Sequence, residues 1–175
     1  RDAFVSVLDR NTGRVFEGRV SLDEDRLVSW EHLPGVQTRA MNEEADEMAA
    51  LREVSASQGI MLESAAQRLS ERGGPHYGSP DKRPEVRLAN IALAGRLKIP
   101  FTTGILIGIG ENRAERIDSL LKIRALQDRY GHIQELIIQP FRAKPDTLMA
   151  KFPEPDTPDL LWTIAVARIL FGPDM

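Results

Sequence analysis

The densest chemical signal in the sequence is Gly104-Ile105-Leu106-Ile107-Gly108-Ile109-Gly110-Glu111, an apolar run that ends in glycines and a carboxylate just before a helix-forming stretch. Glycine lets a ligand approach the backbone where a Cβ would collide, and the helix start that follows offers unpaired N–H groups. Gly104, Gly108, Gly110 and Glu111 therefore form a candidate site for a nucleoside or a phosphate. The same residues equally suit a tight turn in which Glu111 faces the positive end of the helix. No Gly-Lys-Ser/Thr follows, so this is not a P-loop. A second carboxylate, Glu63, ends the apolar stretch Ser57-Gln58-Gly59-Ile60-Met61-Leu62, where it can accept hydrogen bonds from ribose hydroxyls or an amino group, or simply start a helix. The loop from Gly73 to Lys82 adds His76, Tyr77 and Lys82 as polar contacts, although such loops are commonly plain solvated turns. Gln139 closes a further apolar run, with Arg142 just beyond it. His32 and His132 stand apart and receive no role. There is no nucleophile elbow, no paired-His zinc spacing, no Ser/His/Asp arrangement and no metal site to assign.

These residues need a frame that brings them together. From Asn42 onward the sequence alternates apolar runs with helical patterns, beginning with a helix-forming run over Glu43 to Glu53 and the strand-like 57–62. A short helix is expected at Ala65–Glu71, stopped by Gly73-Gly74-Pro75. Pro84 suits the first turn of the next helix, which continues through Val86, Leu88, Ile91, Ala94 and Leu97. Phe101–Ile107 is a continuous apolar strand of the kind buried in a parallel sheet. Asn112 to Tyr130 is an amphipathic helix with Ile117, Leu120, Leu121, Ile123 and Leu126 inward, ended by Gly131. Ile133–Ile138 is another buried strand, Pro140 to Pro158 a loop, and Leu160–Leu170 a last helix. Serial strand–helix units imply a parallel sheet whose strand ends share one edge, where α/β folds place ligands. That edge should carry Glu63, Gly108 to Glu111, and Gln139.

The first 37 residues follow another grammar. Ala3–Leu8, Arg14–Val20 and Arg26–Trp30 alternate apolar and polar residues between the polar loops Asp9-Arg10-Asn11-Thr12-Gly13 and Asp23-Glu24-Asp25. They predict a three-stranded antiparallel β-meander over residues 1–37, bounded at Pro34-Gly35, with an α/β domain over 38–175.

Composition narrows the function. The chain has 175 residues, 42% hydrophobic and 28% charged, which suits a folded soluble domain. With 23 Lys plus Arg against 26 Asp plus Glu, the net charge of -3 gives no footprint for nucleic acid or an anionic membrane. No run is apolar enough to span a bilayer and Arg1-Asp2-Ala3-Phe4 does not open a signal peptide, so a cytoplasmic location is the expectation. The sequence has no Cys, which excludes disulfides and Cys-ligated zinc or iron–sulfur sites within these residues.

From about Pro34 to Met175 the chain resembles the FO synthases, radical S-adenosylmethionine enzymes of deazaflavin biosynthesis, and specifically their cyclising half. The likeness runs through Ser55–Ser64, Gly73–Lys82, Pro100–Glu111, Tyr130–Glu135 and Leu161–Arg168. It implies a partial (β/α) TIM-type barrel comprising the fourth to sixth strands. It also implies S-adenosylmethionine as cofactor, bound through Glu63, Gly104, Gly108, Gly110 and Glu111. Gly104, Gly108 and Glu111 fit the family pattern Gly-x-Ile-x-Gly-x-x-Glu for the cofactor's adenine, with Leu106 in place of Ile. His76, Tyr77, Lys82, Gln139 and Arg142 become candidate contacts for the implied substrate, a tyrosine-derived adduct of a ribitylaminouracil. In such enzymes a 4Fe-4S cluster reduces S-adenosylmethionine, and the resulting 5'-deoxyadenosyl radical abstracts hydrogen before ring closure with loss of ammonia. The cluster needs a Cys-x-x-x-Cys-x-x-Cys loop, which would precede this segment, so the resemblance implies a cluster-bearing half as partner. One departure is Pro140, where the family has Asn after the sixth-strand Gln, and which removes a side-chain donor.

Residues 1–37, through Phe4–Arg10 and Val28–Gln37, are similar to a small non-catalytic domain near the amino end of copper amine oxidases. No copper-binding His pair or quinone-forming Tyr motif accompanies it. The sequence thus leaves open a part of an FO synthase, an inert fragment or chimera acting only through interaction, and a copper amine oxidase N-terminal fragment.

Overall fold

The computed structural model describes the backbone of residues 2–8, 15–23, 26–32, 37–173 and 175, and side chains from Ala45 onward. The loops expected at 9–13 and around 24–25, and the Pro34-Gly35 boundary, lie outside the described residues. The chain divides into two compact units, Arg1–Glu53 and Val54–Met175.

In the first unit, β1 (Asp2–Leu8), β2 (Val15–Asp23) and β3 (Arg26–His32) pair antiparallel in chain order. The register slips between Ser21 and Leu22 of β2. Helix α1 (Gln37–Arg52) belongs to the same unit, so the helix-forming run around 43–53 groups with the strands before it.

The second unit is α/β. A three-stranded parallel sheet in the order β4 (Gln58–Gly59), β5 (Phe101–Ile107), β6 (Ile133–Pro140) is joined by α2 (Pro84–Arg96) and α3 (Arg113–Tyr130), with α4 (Thr157–Phe171) following β6. Each helix has a local cause. Pro84 stands in the first turn of α2, where its missing N–H costs nothing. Asn112 caps α3 by accepting from Glu115 N at 3.0 Å, while the Glu115 carboxylate accepts from Asn112 N at 2.8 Å. Gly131, at φ 64°, ends α3 in the left-handed conformation glycine tolerates. Asp156 caps α4 through Asp159 N, so α4 starts three residues ahead of the expected Leu160 and takes in Thr157 and Pro158. No helix among the described residues is long and apolar enough to cross a membrane.

The core forms where α2 and α3 pack on β5 and α4 packs on β6. Phe101, Thr103, Ile105 and Ile107 are buried together with Leu62, Leu69, Ile91, Leu93, Ile99, Leu120, Ile123 and Ile133. On α3 the buried positions are Arg116, Ser119, Leu120 and Ile123. Leu121, expected inward, is 48% exposed. Two polar residues fill the inner stripe instead because both have partners there: Ser119 Oγ accepts from Ala65 N at 2.8 Å, and Arg116 joins an ionic network.

Two expected elements take another shape. Of the helix expected at Ala65–Glu71, Gln67–Ser70 coils, as a 3-10 turn, because the Leu69 carbonyl is taken by His76 N at 2.9 Å and the chain doubles back there; a second 3-10 turn forms at Pro80–Lys82. The strand expected over 57–62 is regular only at Gln58–Gly59. Beyond it the chain still follows β5, with Gln58 N to Pro100 O, Ile60 N to Thr102 O, then Glu63 N to Gly104 O and Glu63 O receiving Leu106 N. Between Ile60 and Glu63 it advances three residues while β5 advances two, which is a one-residue bulge.

Candidate functional site

The bulge delivers Glu63 to the carboxyl end of the sheet with φ 63°, a conformation uncommon for a residue bearing a side chain. Its carboxylate is 13% exposed and receives His76 Nε2 at 2.8 Å and Lys82 Nζ at 3.0 Å. Both partners come from the stretch between Ser70 and α2, Lys82 as the last residue of the 3-10 turn Pro80–Lys82. Burial pushes the Glu63 pKa upward and is the largest single influence. The hydrogen bonds and charges of His76 and Lys82 together outweigh it and hold the pKa at about 2. Arg87, nearly buried on α2, fixes the approach of this loop: Nε donates to Asp81 O at 2.6 Å and a terminal nitrogen to Met61 O at 3.2 Å. One guanidinium therefore holds the residue before Lys82 and the chain just before Glu63. Tyr77, from the same loop, is 60% exposed and is not part of this cluster.

The glycine-rich turn after β5 lies on the same edge. Gly108 and Gly110 have φ of 89° and 108°, backbone geometry that favours glycine. Neighbours within the chain occupy the space that a side chain would need at two of these glycines. A Cβ on Gly104 would stand 2.1 Å from the Ile137 carbonyl, and one on Gly108 2.5 Å from Pro155. At Gly110 the nearest atom would be 3.8 Å away, on Leu69. Glu111, whose side chain is 1% exposed, turns back into its own loop and accepts from Gly108 N at 2.7 Å and Ile109 N at 2.9 Å. Successive N–H groups in such a turn make an anion-binding concavity, and here the anion is the chain's own carboxylate. Of the two ligand classes the turn suggested, a phosphate would find those donors taken. The carbonyls of Gly108 and Ile109 receive no donor among the described residues, whereas Gly110 O is taken by Arg68.

Gln139 stands opposite Leu106 and Pro140 opposite Ile107, which brings the end of β6 to the same rim. A cleft of about 440 Å³ opens there, lined by Pro75, Leu106, Gln139, Phe141, Arg142 and Met149 among others. The Gln139 side chain has no hydrogen-bond partner among the described residues, while Arg142 pairs with Glu154 across the loop that follows β6. Glu63, the glycine turn and Gln139 thus share one rim. Within it, Glu63, His76 and Lys82 form a cluster, Gln139 and Arg142 line the cleft, and Glu111 is buried behind its turn.

Three residues matter here that sequence reasoning passed over. Arg116 on α3 donates through Nε to Glu111 at 2.7 Å and through a terminal nitrogen to Asp159 on α4, while Arg113 reaches Asp159 at 3.0 Å. Asp159 has its pKa lowered, chiefly by the hydrogen bond from Arg116; burial, the next-largest influence, opposes it, and Arg113 adds to the lowering. Arg87 is the third. Glu111 and Arg116 are five positions apart at a helix start, a weak signal. The separation of 43 positions between Arg116 and Asp159 gives none.

The second unit is thus a parallel βα segment with one part-exposed carboxylate, Glu63, and a cleft at its strand ends. No metal-binding cluster of His, Asp or Glu occurs among the described residues. By sequence this segment is homologous to the FO synthases. The chain is 55% identical over 130 residues to the FO synthase of Mycobacterium tuberculosis, a stretch covering 74% of this chain and 15% of that protein. It is 51% identical over 142 residues to the 7,8-didemethyl-8-hydroxy-5-deazariboflavin synthase of Methanopyrus kandleri, covering 81% and 40%. With the FO synthase of Nocardia farcinica the identity is 50% over 156 residues, covering 88% and 17%. The matched stretch therefore spans between 15% and 40% of the length of these curated relatives. No family model matches it.

Proposed function

We propose that this chain is the cofactor- and substrate-facing part of a radical S-adenosylmethionine FO synthase, with β4, β5 and β6 standing as the fourth to sixth strands of a (β/α) barrel. One observation carries the reading. A single strand-end edge gathers an anionic carboxylate at Glu63, a turn whose Gly108 and Ile109 carbonyls are unpaired among the described residues, and a mainly apolar cleft. The carboxylate and the carbonyls are acceptors, and the adenosyl and amino acid portions of S-adenosylmethionine carry the matching hydroxyl and amino donors.

The residues present fit that cofactor's donors and do not fit an iron–sulfur cluster, which needs thiolates the 175 residues lack. In this reading the cluster belongs to a companion segment. S-adenosylmethionine, when bound, supplies hydrogen-abstracting radical chemistry. The chain's own residues bind and orient. Glu63 stays ionised at neutral pH and accepts from ribose or amino groups, with Lys82 and His76 fixing its direction. Gln139 offers both a donor and an acceptor to a substrate in the cleft, in this proposal the tyrosine-derived adduct of a ribitylaminouracil. Arg142, restrained by Glu154, closes one side.

Calorimetric titration of the 175-residue chain with S-adenosylmethionine tests the reading. Saturable heat, with affinity reduced about tenfold in Glu63→Gln, supports it. No heat at about millimolar ligand ends it.

A second reading has its own observation. The outer edge of β6 pairs with no strand among the described residues, and Leu161, Ile164 and Ile169 on α4 are 59%, 41% and 82% exposed. Such an edge favours association with another chain, which makes the fragment an interaction module. Concentration-dependent sedimentation without ligand binding would favour this alternative. Residues 1–37 take no part in either reading.

A further inference from the structure

We propose that Arg116 is a positioning residue for the ligand-facing turn, and that through Asp159 it makes the loops after β5 and after β6 a single device. This rests on the cofactor reading above and goes beyond it, because the device acts from α3 and α4, elements that bear none of the proposed ligand contacts.

Gly108 N–H and Ile109 N–H can point at a carboxylate only if that carboxylate is held in place. The Glu111 side chain is 1% exposed and the residue immediately precedes the cap of α3, so water cannot hold its carboxylate. Arg116 does. Its Nε shares Glu111 Oε1 with Gly108 N, both at 2.7 Å. The guanidinium is itself nearly buried, and one end is spent on Asp159 and on Thr163 Oγ1 at 3.2 Å. Asp159 stands in the first turn of α4, three residues after the cap Asp156 and four after Pro155, whose ring covers Gly108. The chain of contacts is closed: turn, Glu111, Arg116, Asp159, α4, Pro155, and back to the turn.

With the Gly108 and Ile109 N–H groups spent inward, the carbonyls of those two residues are left without a donor among the described residues. At Gly108 and Ile109 the turn therefore offers acceptors, its donors there being taken. Arg116 therefore acts on binding by fixing which backbone groups remain for the ligand. It touches none of the proposed ligand contacts itself. Arg113 supplies the internal control: it pairs with the same Asp159 but is 55% exposed and has no contact with Glu111.

The experiment combines amide hydrogen exchange with S-adenosylmethionine titration on the full 175-residue chain, comparing Arg116→Gln, Arg116→Lys and Arg113→Gln. The expected result is that Arg116→Gln speeds exchange at Gly108 and Ile109 about tenfold or more, beyond any change at Ile105 in the same strand. S-adenosylmethionine affinity falls about tenfold alongside it, Arg116→Lys recovers part of both, and Arg113→Gln stays within about twofold. Exchange at Gly108 and Ile109 that rises only in step with Ile105 marks a plain stability effect and overturns the proposal. An unchanged affinity in a variant with a loosened turn overturns it as well. If the unaltered chain binds no S-adenosylmethionine, the cofactor reading falls by itself, and the exchange comparison still decides whether Arg116 holds the turn. Where Arg116→Gln does not fold, Asp159→Asn carries the test, because it frees the α4 side while leaving Glu111 paired. The same pattern, about threefold in size, is then expected.

Discussion

Glu63 and Glu111 stand on the same rim, follow neighbouring strands of one sheet and look alike in the sequence, yet their surroundings give them different work. Glu63 is 13% exposed, its partners are side chains from a separate loop, and one of them, Lys82, reaches solvent. Glu111 is 1% exposed and its partners are its own backbone and a nearly buried guanidinium. A carboxylate that still meets solvent can exchange partners with a ligand. One sealed among backbone N–H groups can only shape what a ligand meets. Position along the chain does not separate these roles, whereas burial and the origin of the donors do.

Substitution should separate them by size. Glu111→Ala strands the Gly108 and Ile109 N–H groups and leaves Arg116 with a missing partner, so urea unfolding should show a loss of about 3–5 kcal/mol. Glu63→Ala leaves Lys82 able to reach water and should cost less, about 1–3 kcal/mol. The reverse order in the same measurement would break the comparison.

Acid titration sharpens it further. The Glu63 pKa is lowered in the folded chain from 4.5 to about 2, so its contribution is fully present above 4.5 and is lost as the pH falls toward 2. In Glu63→Gln the stability profile between those values should flatten, as followed by circular dichroism in urea. His132 adds a smaller effect at higher pH. It is buried and gives one ring nitrogen to the Ile91 carbonyl, and burial, opposed by that bond, lowers its pKa. Stability should therefore begin to fall as the pH drops below about 6.5, and His132→Gln should remove that slope. The smallest effect belongs to Arg113→Gln, which loses a surface ion pair and an exposed stacking contact on the Trp162 ring, each worth about 0.5 kcal/mol, and should move the unfolding midpoint least.

What could be read beforehand was what is local. Asn112 three residues before Glu115, Gly131 after an amphipathic run, and the unbroken apolar stretch of β5 mark α3 and β5 without reference to the rest of the chain. The start of α4 was less plain, because Thr157-Pro158 looks like loop until Asp156 is seen to cap it. The first parallel strand was legible only as an apolar run, since its bulge is defined by β5, far along the chain. The site followed the same division. Glu63, the glycine turn and Gln139 could be assigned to one edge from strand order alone. That Lys82 and His76 close on Glu63, and that Arg116 ties Glu111 to Asp159, depends on meetings between segments that no spacing encodes.

The surplus residue between Ile60 and Glu63 also sets a counting rule for anyone editing this stretch. Counted rung by rung from the Gln58–Phe101 pair, Glu63 would fall opposite Leu106, yet it bridges to Ile105. Removing one residue between the two would therefore leave the acid on its present rung while straightening the path that leads to it. Adding one would demand a second bulge, or else push the acid past the two side chains that meet it. Deletions here test the bend, insertions change the address, and substitutions at Met61 or Ile60 change only the filling.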